Sequence, residues 1–251
     1  MTNEKKRVIA ITGGTRGIGR AIAELFHKRY YYVAVCSRSP SDFSWPKDIL
    51  HCEVDVRQRE EQHRFVAGVL KHFGALNVFV NCAGSSRWRS IGDVDEKFVE
   101  EVVNTSLLGT LWGCSAAASV MDVGDCIVNI SSLAGKRGSI NNSAYCAAKF
   151  AVNGITQSLA KELGPRGIRV NAVCPVYVET KTILAALEET ASPAQGYAVE
   201  AYLSSFKTTQ TALGRLPTEQ EVAEAVYFLA SPAASAITGQ CVNVDCGTFP
   251  Q

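Results

Sequence analysis

Short apolar runs alternate with longer stretches of helical pattern from near the start of the chain almost to its end. Such alternation is typical of parallel βαβ units. Several runs, residues 8–11 and 78–80 among them, are apolar at every position, as expected for strands that helices cover on both faces. Seven runs are predicted to be strands: Arg7 to Thr12, Tyr32 to Cys36, Leu50 to Val54, Asn77 to Asn81, Cys126 to Ser131, Arg169 to Cys174 and Cys241 to Val244.

Two regions interrupt this alternation. Between Arg38 and Asp55, prolines and serines leave little room for a full crossover helix. Residues 178–215 carry no strand signal, and because connections of that length are usually lids or binding loops, this segment is predicted to be a substrate lid. Elsewhere the helical pattern covers five segments: Gly17 to Lys28, Arg57 to Phe73, Glu96 to Ala118, Ala144 to Leu163 and Glu219 to Leu229.

The pattern predicts an α/β fold, a doubly wound domain in which a seven-stranded parallel sheet carries helices on both faces. The chain has 251 residues, of which 47% are hydrophobic and 20% charged. That length and composition suit one large core, so a single domain spanning residues 1–251 is expected.

Charge and cysteine usage narrow the classes of function. The formal net charge is +1, which favours neither a nucleic-acid nor a membrane-surface partner. The first apolar run is too short for a signal peptide, and no stretch approaches the roughly 20 apolar residues of a membrane span. Nine cysteines without any C-x-x-C pair indicate neither a zinc site nor a disulfide framework. We therefore expect a soluble cytoplasmic protein with a small-molecule partner and no metal.

A glycine-rich turn, residues 12–19, follows the first predicted strand and opens the first helix. Glycines allow a tight turn and close backbone approach, and a helix N-terminus attracts a pyrophosphate. A purely structural turn is the alternative, but the position after a first strand favours a Rossmann-type dinucleotide site. The candidate ligands in the turn are Gly13, Thr15, Arg16, Gly17, Ile18 and Gly19.

The end of the second strand indicates which dinucleotide binds. An acidic side chain there would bind the ribose 2′-hydroxyl of NAD, whereas a 2′-phosphate requires cationic and hydroxyl groups. The strand ends in Ser37 and Arg38, and Arg16 supplies a second cation. These residues predict NADP(H) as the cofactor, unless both arginines are ordinary surface residues.

Tyr145 and Lys149 lie four residues apart on a predicted helix and share one face, with Ser132 upstream. A free tyrosine has a pKa near 10, and a neighbouring ammonium group lowers it. Such a set suggests acid catalysis by a phenol. With eight tyrosines in the chain, however, a chance Tyr-x-x-x-Lys is expected roughly one time in three, so the pair alone proves little.

The motifs together resemble the short-chain dehydrogenase/reductase family over essentially the whole chain. The resemblance is specific because six elements follow in the family's order. They are the glycine-rich turn, Asn81-Cys-Ala-Gly84, Asn104, Ser132, the Tyr145 and Lys149 pair, and the segment from Pro175 to Thr180.

The resemblance implies a role for each catalytic candidate. Tyr145 would be the general acid for carbonyl reduction and the base for the reverse reaction, and Ser132 would bind the substrate oxygen. Lys149 would bind the nicotinamide ribose and lower the pKa of Tyr145. Asn104 would hold a helix kink and a water that extends a proton relay, although a helix-interior asparagine that bonds its own backbone is a competing interpretation.

The resemblance also implies further cofactor contacts. Asp55 and Val56 would meet the adenine ring, and Thr180 the carboxamide. Asp55 could instead cap the helix that begins near Arg57, or do both. The remaining candidates are Asn81, Ala83, Gly84, Pro175 and Val178.

Two residues depart from the family pattern, and both affect the expected pocket rather than the proton-transfer set. Val176 stands where glycine usually follows the proline, so its branched side chain is expected to narrow the pocket or shift the backbone. Cys246 replaces a glycine after the last strand. The activity expected from the resemblance therefore stands.

The substrate is the least determined part of the prediction. Residues 214–223 and 238–240 are similar to 3-oxoacyl-thioester reductases and related carbonyl reductases, a likeness that many sugar and polyol enzymes share. The acidic stretch 120–125 disfavours a substrate bound to an acidic carrier protein. A sugar or polyol oxidoreductase and a non-catalytic dinucleotide sensor are the alternatives.

Basic residues also follow the strand ends, and they bear on the charge of the substrate. Cations there would suit a carboxylate or phosphate, although a solvated charged loop is an equally good interpretation. The family resemblance further implies a homo-oligomer, a tetramer or dimer, packed through the helices that contain Asn104 and Tyr145. The four basic residues are Arg87, Arg89, Lys136 and Arg137.

Overall fold

The computed structural model describes residues 6–39 and 44–250. Within them, seven strands form one fully parallel sheet in the order β3-β2-β1-β4-β5-β6-β7, which confirms the predicted sheet. The strands are β1 (Val8–Thr12), β2 (Tyr32–Ser37), β3 (Ile49–Glu53), β4 (Val78–Asn81), β5 (Cys126–Ile130), β6 (Arg169–Pro175) and β7 (Cys241–Val244).

Helices cover both faces of the sheet. Alternate residues of β1 enter two different cores: Ile9 and Ile11 pack with α1 and α8, whereas Val8 and Ala10 pack on the side of α2, α4 and α5. No helix of the described residues is long and apolar enough to span a bilayer. The α-helices are α1 (Gly17–Lys28), α2 (Arg59–Phe73), α3 (Glu96–Val99), α4 (Gly109–Ala118), α5 (Ser143–Leu163), α6 (Lys181–Leu187), α7 (Val199–Gln210) and α8 (Glu219–Ala230).

The strand order places a crevice at the centre of the sheet. From β1 the chain adds β2 and β3 on one side and then β4 to β7 on the other, so the direction reverses between β1 and β4. Ligands of doubly wound sheets bind at such a switch point, outside the carboxyl ends of the strands. The segments that follow β1, β4, β5 and β6 therefore meet around one site.

The long helix predicted from Glu96 to Ala118 is divided into three parts. A π-helical segment, Glu100–Leu108, joins α3 to α4. The N–H of Gly109 binds the carbonyl of Asn104, five residues earlier, which is the bond that defines this wider turn. A Cβ on Gly109 would lie 2.9 Å from Cγ2 of Val56, so α4 can approach the β3 connection only with glycine at this position.

The predicted lid segment, residues 178–215, contains two helices, α6 and α7, that the strand pattern did not predict. Their apolar faces pack with Trp88 in a third core that also contains Leu187, Leu203 and Leu216. Each helix is short, and its apolar residues find their partners in distant parts of the chain. Periodicity within the segment alone was therefore a weak signal.

The predicted lack of a crossover helix between Arg38 and Asp55 falls partly on residues 40–43, which lie outside the described residues. Residues 44–48 of this connection form no helix. The next helix, α2, begins at Arg59 rather than at the predicted Arg57. A turn closed by the N–H of Gln58 on the carbonyl of Asp55 precedes it.

Candidate active site

A cavity of about 500 Å³ lies along the carboxyl ends of the central strands. Most of the predicted site residues line it, although they come from seven separate segments of the sequence. The predicted residues in its wall are Gly13, Thr15, Arg16, Gly17, Ile18, Gly19, Ser37, Arg38, Val56, Ala83, Gly84, Ser132, Tyr145, Lys149, Pro175, Val178 and Thr180.

The glycine-rich turn is packed so closely at Gly13 and Gly19 that no side chain would fit at either position. A Cβ on Gly13 would lie 2.9 Å from Cα of Ala83, and one on Gly19 would lie 2.3 Å from the carbonyl oxygen of Gly13. The hydroxyl of Thr12 accepts the N–H groups of Cys82 and Ala83 at 3.1 and 3.2 Å. The turn after β1 and the segment after β4 thus form one backbone wall, open to a ligand on the cavity side.

The start of α1 provides a place for an anion. Its N-cap residue, Arg16, has an extended backbone, and no side chain caps the first amides of the helix. The first turn also contains no acidic residue. Uncapped amides and the positive end of the helix dipole favour a negative group. The turn and this helix end together fit the pyrophosphate of a nicotinamide dinucleotide.

The adenosine end of the cavity is cationic. Arg16 and Arg38 are exposed and line it, as predicted. Ser37 also lines it, but its hydroxyl donates to the carbonyl of Ser39 at 2.7 Å and lies 3.0 Å from Nε2 of His51. That hydroxyl is therefore held within its own loop. The groups at this end that are free to meet an anion are therefore mainly the two arginines.

Asp55 lies beside the cavity but does not line it. Its carboxylate binds the side chain of Arg57, with Nε–Oδ1 at 2.9 Å and Nη2–Oδ2 at 2.5 Å, and accepts the Arg57 N–H at 3.0 Å. The Arg57 guanidinium is the main cause that holds the pKa of Asp55 below its ordinary value. The neighbours Val54 and Val56 face the cavity instead. Asp55 caps the turn that precedes α2, not the helix itself.

Asn81 is buried behind the cavity wall. Its side-chain amide donates to Oδ1 of Asn129 at 2.9 Å and to Sγ of Cys114 at 3.3 Å, and so links β4, β5 and α4. A Cβ on Gly113 would lie 2.1 Å from Oδ1 of Asn81. The Asn81 side chain therefore fixes the sheet against α4 and leaves cofactor contact to the residues that follow it.

The three central catalytic candidates meet in the cavity. Ser132 follows β5 and its hydroxyl accepts the N–H of Ala134 at 3.1 Å. Tyr145 lies in the first turn of α5, and Lys149 lies one turn further. Lys149 is 4% exposed; its Nζ donates to the carbonyl of Ile130 at 2.8 Å and lies 5.6 Å from the centre of the Tyr145 ring.

Burial shifts both titrating groups towards their neutral forms. It raises the pKa of Tyr145 to about 12, against smaller lowering effects of hydrogen bonds with Ser132 and Ser86. It lowers the pKa of Lys149 to about 8. The net shift of the Tyr145 pKa is therefore upward, opposite to the lowering that the family resemblance implies, because desolvation of the phenolate is its largest cause. A pKa in this range keeps the Tyr145 phenol protonated at neutral pH.

Asn104 lies in the π-helical segment and does not line the cavity, whereas its neighbour Thr105 does. Its carbonyl accepts the N–H of Gly109, as the predicted helix kink requires. The structure thus places Asn104 at the kink. The water relay remains a prediction.

The substrate end of the cavity has an aromatic wall that the sequence pattern did not predict. Trp88, Tyr177 and Phe206 line it together with Val176, one of the two departures from the family pattern. The rings of Tyr177 and Phe206 lie 4.9 Å apart, and the hydroxyls of Tyr177 and Tyr202 lie 3.2 Å apart. The sequence did contain a signal for this wall: Trp88 follows the Asn-Cys-Ala-Gly segment by four positions and Tyr177 follows Pro175 by two, and neither belongs to a predicted strand or helix.

Four basic residues were predicted to lie at the rim of the site, after the strand ends, and two of them are paired with carboxylates. Arg87 binds Glu189 at 2.8 Å and lies 3.5 Å from Glu101. Arg89 lies 3.8 Å from Asp95. Neither arginine lines the cavity. The prediction of several cations around the substrate is wrong for this pair, because each guanidinium has an acidic partner of its own.

The other two rim cations follow Ser132 and point in different directions. Nζ of Lys136 donates to the carbonyl of Cys241 at 2.6 Å, on β7, and Lys136 does not line the cavity. Arg137 does line it. One of the four predicted cations therefore faces the substrate end.

Comparison with known proteins places this geometry in a family. The family model described as enoyl-(acyl carrier protein) reductase matches residues 13–248. A putative ketoacyl reductase of the monensin polyketide synthase from Streptomyces virginiae is 35% identical over 98% of both chains.

Two solved structures superpose closely on the chain. A short-chain glucose/ribitol dehydrogenase from Brucella melitensis has a TM-score of 0.87 at 29% identity over 100% of both chains. A single-site variant of the actinorhodin polyketide ketoreductase, solved with NADPH, has a TM-score of 0.85 at 31% identity over 99% of both. Because likeness in sequence and structure extends over nearly the whole length, the chain belongs to the short-chain dehydrogenase/reductase family and is a nicotinamide-dependent oxidoreductase of carbonyl and alcohol groups.

Proposed function

We propose that this protein reduces a ketone to a secondary alcohol with NADPH, reversibly, and that Tyr145 is its general acid and base. The observation that carries the proposal is the meeting of Ser132, Tyr145 and Lys149 in the cavity that the glycine-rich turn also lines. A proton donor for the carbonyl oxygen and a dinucleotide site on one cavity are the two requirements of hydride reduction.

The residues present fit NADP(H). Its pyrophosphate would lie on the amides at the start of α1, and its 2′-phosphate between Arg16 and Arg38. Val56, Pro175, Val178 and Thr180 line the cavity. By the family resemblance, Val56 would meet the adenine ring and Thr180 the carboxamide of the nicotinamide. When bound, the dinucleotide supplies the hydride; the protein supplies binding, orientation and the proton.

The proton step follows from the hydrogen bonds around Tyr145. The hydroxyl of Ser132 accepts the N–H of Ala134 and is hydrogen-bonded to Tyr145, and its own proton would turn to the substrate oxygen when the substrate binds. Tyr145, whose raised pKa keeps it neutral, gives its proton to that oxygen as negative charge develops. Lys149 uses one N–H on Ile130, and its others are available to the ribose hydroxyls.

A 3-oxoacyl thioester or a related ketone is the favoured substrate class. The relative from Streptomyces virginiae is named a ketoacyl reductase, and the aromatic wall suits an apolar acyl chain. A sugar or polyol oxidoreductase is the second candidate, since a structural relative is a glucose/ribitol dehydrogenase. We assign residues 178–215, with α6 and α7, the role of covering the substrate, because Val178, Thr182, Ile183 and Phe206 line the cavity.

The experiment that tests this function is a panel of ketones, sugars and acyl thioesters assayed by NADPH absorbance, with Tyr145→Phe beside the natural protein. Reduction of ketones or thioesters that the variant abolishes is the expected result. Faster turnover of sugars and polyols would favour the second candidate. Binding of NADPH without turnover of any compound would favour a dinucleotide sensor instead.

The oligomeric state and the compartment of the enzyme are part of the same proposal. We propose a homo-oligomer, a tetramer or dimer, packed through the helical segment 96–118, which contains Asn104, and through α5, which contains Tyr145. On α5, Ala147, Phe150 and Gly154 are exposed, so two small residues and one large apolar ring are available for contact. All nine cysteines are free thiols, which suits a reducing cytoplasm. Light scattering of the natural protein and of Phe150→Glu tests the oligomer, since a charge there would dissociate it.

A further inference from the structure

The cavity is lined by cations but not by carboxylates. Among the described residues, its wall contains Arg16, Arg38, Arg137 and Lys149, and no aspartate or glutamate. Arg16 and Arg38 belong to the adenosine end, and Lys149 lies under the Tyr145 ring. Of the cations that the structure describes in the wall, Arg137 is therefore the one at the substrate end.

Arg137 has no acidic partner within the described part of the chain, in contrast to Arg87 and Arg89. Its guanidinium lies over the ring of Phe249, 5.5 Å from the ring centre. Such stacking holds the planar group in one orientation while it leaves the N–H donors at its edge free. A half-buried guanidinium without an acceptor is a group prepared for an anion.

Aromatic side chains at this end of the cavity carry hydrogen-bond donors too: Tyr177 and Tyr202 lie near Arg137, and Trp88 lies beside Tyr177. Burial is the main cause that raises the pKa values of Tyr177 and Tyr202, so both phenols keep their protons. Trp88 is 2% exposed, lines the cavity, and its Nε1 has no hydrogen-bond partner among the described residues. A buried donor without a partner costs free energy unless a ligand supplies the acceptor.

This donor-rich wall lies near the reacting centre. Arg137, Tyr145 and Tyr177 line the same cavity, and both Arg137 and Tyr145 are near enough to Tyr177 to affect its pKa. A single small molecule can therefore place a carbonyl on Tyr145 and an anionic group on Arg137. The aromatic rings of Tyr177 and Phe206 would cover the apolar carbons between them.

We propose that Arg137 determines substrate specificity by binding the carboxylate of an oxo acid whose ketone is reduced at Tyr145. The inference rests on the proposed ketone reduction and narrows its substrate: within the favoured class it selects a related ketone that carries a free carboxylate rather than a 3-oxoacyl thioester. A carboxylate fits better than a phosphate because one planar guanidinium matches its two oxygens and its single charge, and no second cation stands at this end within the described residues.

The test compares each oxo acid with its uncharged methyl ester. Acetoacetate, levulinate and their methyl esters are assayed with NADPH for the natural protein and for Arg137→Met, Arg137→Lys and Arg64→Met. Arg64 lies on α2 with its side chain 75% exposed, so its replacement makes the same change in net charge away from the cavity. Calorimetry of the same acids and esters with the protein saturated in NADP⁺ measures binding without turnover.

We expect the natural protein to prefer each acid over its ester. Arg137→Met should lower kcat/KM for the acids by about 10- to 100-fold, the size of a charge-assisted hydrogen bond, and leave the esters within about threefold. Arg137→Lys should lie between the two, and Arg64→Met should match the natural protein. Equal rates for acids and esters, or an acid preference that survives in Arg137→Met, would overturn the inference while the proposed reduction stands.

Loss of the proposed function gives a different result. If neither acids nor esters are reduced, the proposed function fails, and calorimetry decides the inference alone. Binding of an oxo acid that Arg137→Met abolishes and Arg137→Lys retains in part upholds a carboxylate site. Acid binding that is absent, or equal in Arg137→Met and the natural protein, removes it.

Discussion

The two ends of the cavity are built in different ways. At the adenosine end two arginine side chains flank a wall that is otherwise largely backbone: the turn that contains Gly13 and Gly19 lies against Ala83, with no room for side chains between them. At the substrate end the wall is made of side chains from distant connections, among them Trp88 and Tyr177. Close backbone contact allows few residue types in the turn, so this end is suited to one common ligand. A wall of side chains can vary in sequence, so it can be adapted to a particular substrate. One end is therefore general and the other specific.

The largest effect should come from the residue where the two ends meet. Replacing Tyr145 by phenylalanine removes the proton donor and keeps the ring, so we expect kcat to fall by about 10² to 10⁴. The dissociation constant of NADPH, measured by fluorescence titration, should change little because the adenosine end is untouched. Retained turnover would contradict the assignment of Tyr145, and lost NADPH binding would show that the two ends are not separate.

The adenosine end is tested by reversing its charge. Arg38→Asp removes a cation from the 2′-phosphate and supplies an acceptor for a 2′-hydroxyl, so the ratio of kcat/KM for NADPH to that for NADH should fall by about 10- to 100-fold. Arg64→Asp makes the same charge change on an exposed face of α2 and serves as the control. An unchanged ratio in Arg38→Asp would refute the choice of NADP over NAD. The acid preference of the substrate end should survive in both variants.

The sequence predicted the conformation of the glycine-rich turn well for a physical reason. A turn in which Gly13 has φ of +66° and a Cβ on Gly19 would strike a carbonyl can be formed by few residue types. The Tyr145 and Lys149 pair was equally readable, because a helix fixes which residues share a face. Local geometry was enough in both cases.

The substrate end could not be predicted in this way. Arg87 is withdrawn from the site by Glu189, which lies 102 positions away in sequence. Phe206 reaches the cavity only because α7 packs on Trp88 and its neighbours. The direction of the Asn81 side chain depends on the space that Gly113 leaves on α4. Each of these placements is set by contacts between distant segments, and no local pattern in the sequence records them.

Lys149 lies between the two ends, and its burial should be visible in the stability of the protein. Its pKa is about 8 when folded against 10.5 when free. Below pH 8 both states carry the charge and the cost of burying it is fully present. From pH 8 to 10.5 the folded state releases its proton first, so the free energy of unfolding should rise with pH, by about 3 kcal/mol in total.

The variant Lys149→Met isolates this change from other titrations. Urea unfolding at a series of pH values gives the free energy of unfolding of both proteins. As the pH rises from 8 to 10.5, the natural protein should become more stable relative to Lys149→Met by about 3 kcal/mol. Tyr145 contributes the opposite slope above pH 10, because its raised pKa keeps the folded state protonated, but it does so in both proteins. Parallel stability curves would mean that the ammonium group is well solvated.

The smallest effect should come from Cys246, which contacts the segment that covers the substrate end of the cavity. Its φ is 52°, in the left-handed region, and its carbonyl accepts the N–H of Leu213 at the end of the segment that carries α7. Cys246→Gly removes a backbone cost of about 1 to 2 kcal/mol and adds about 0.5 to 1 kcal/mol of chain entropy to the unfolded state, a net gain of about 0.5 to 1 kcal/mol. Cys246→Ala keeps the Cβ and should gain nothing. If urea unfolding shows the alanine variant to be as stable as the glycine variant, or more stable, the backbone at Cys246 is not strained.

The glycine variant should keep the left-handed turn, so the KM values for both NADPH and the ketone should stay the same. A change in the ketone KM alone would show that this turn shapes the substrate end of the cavity.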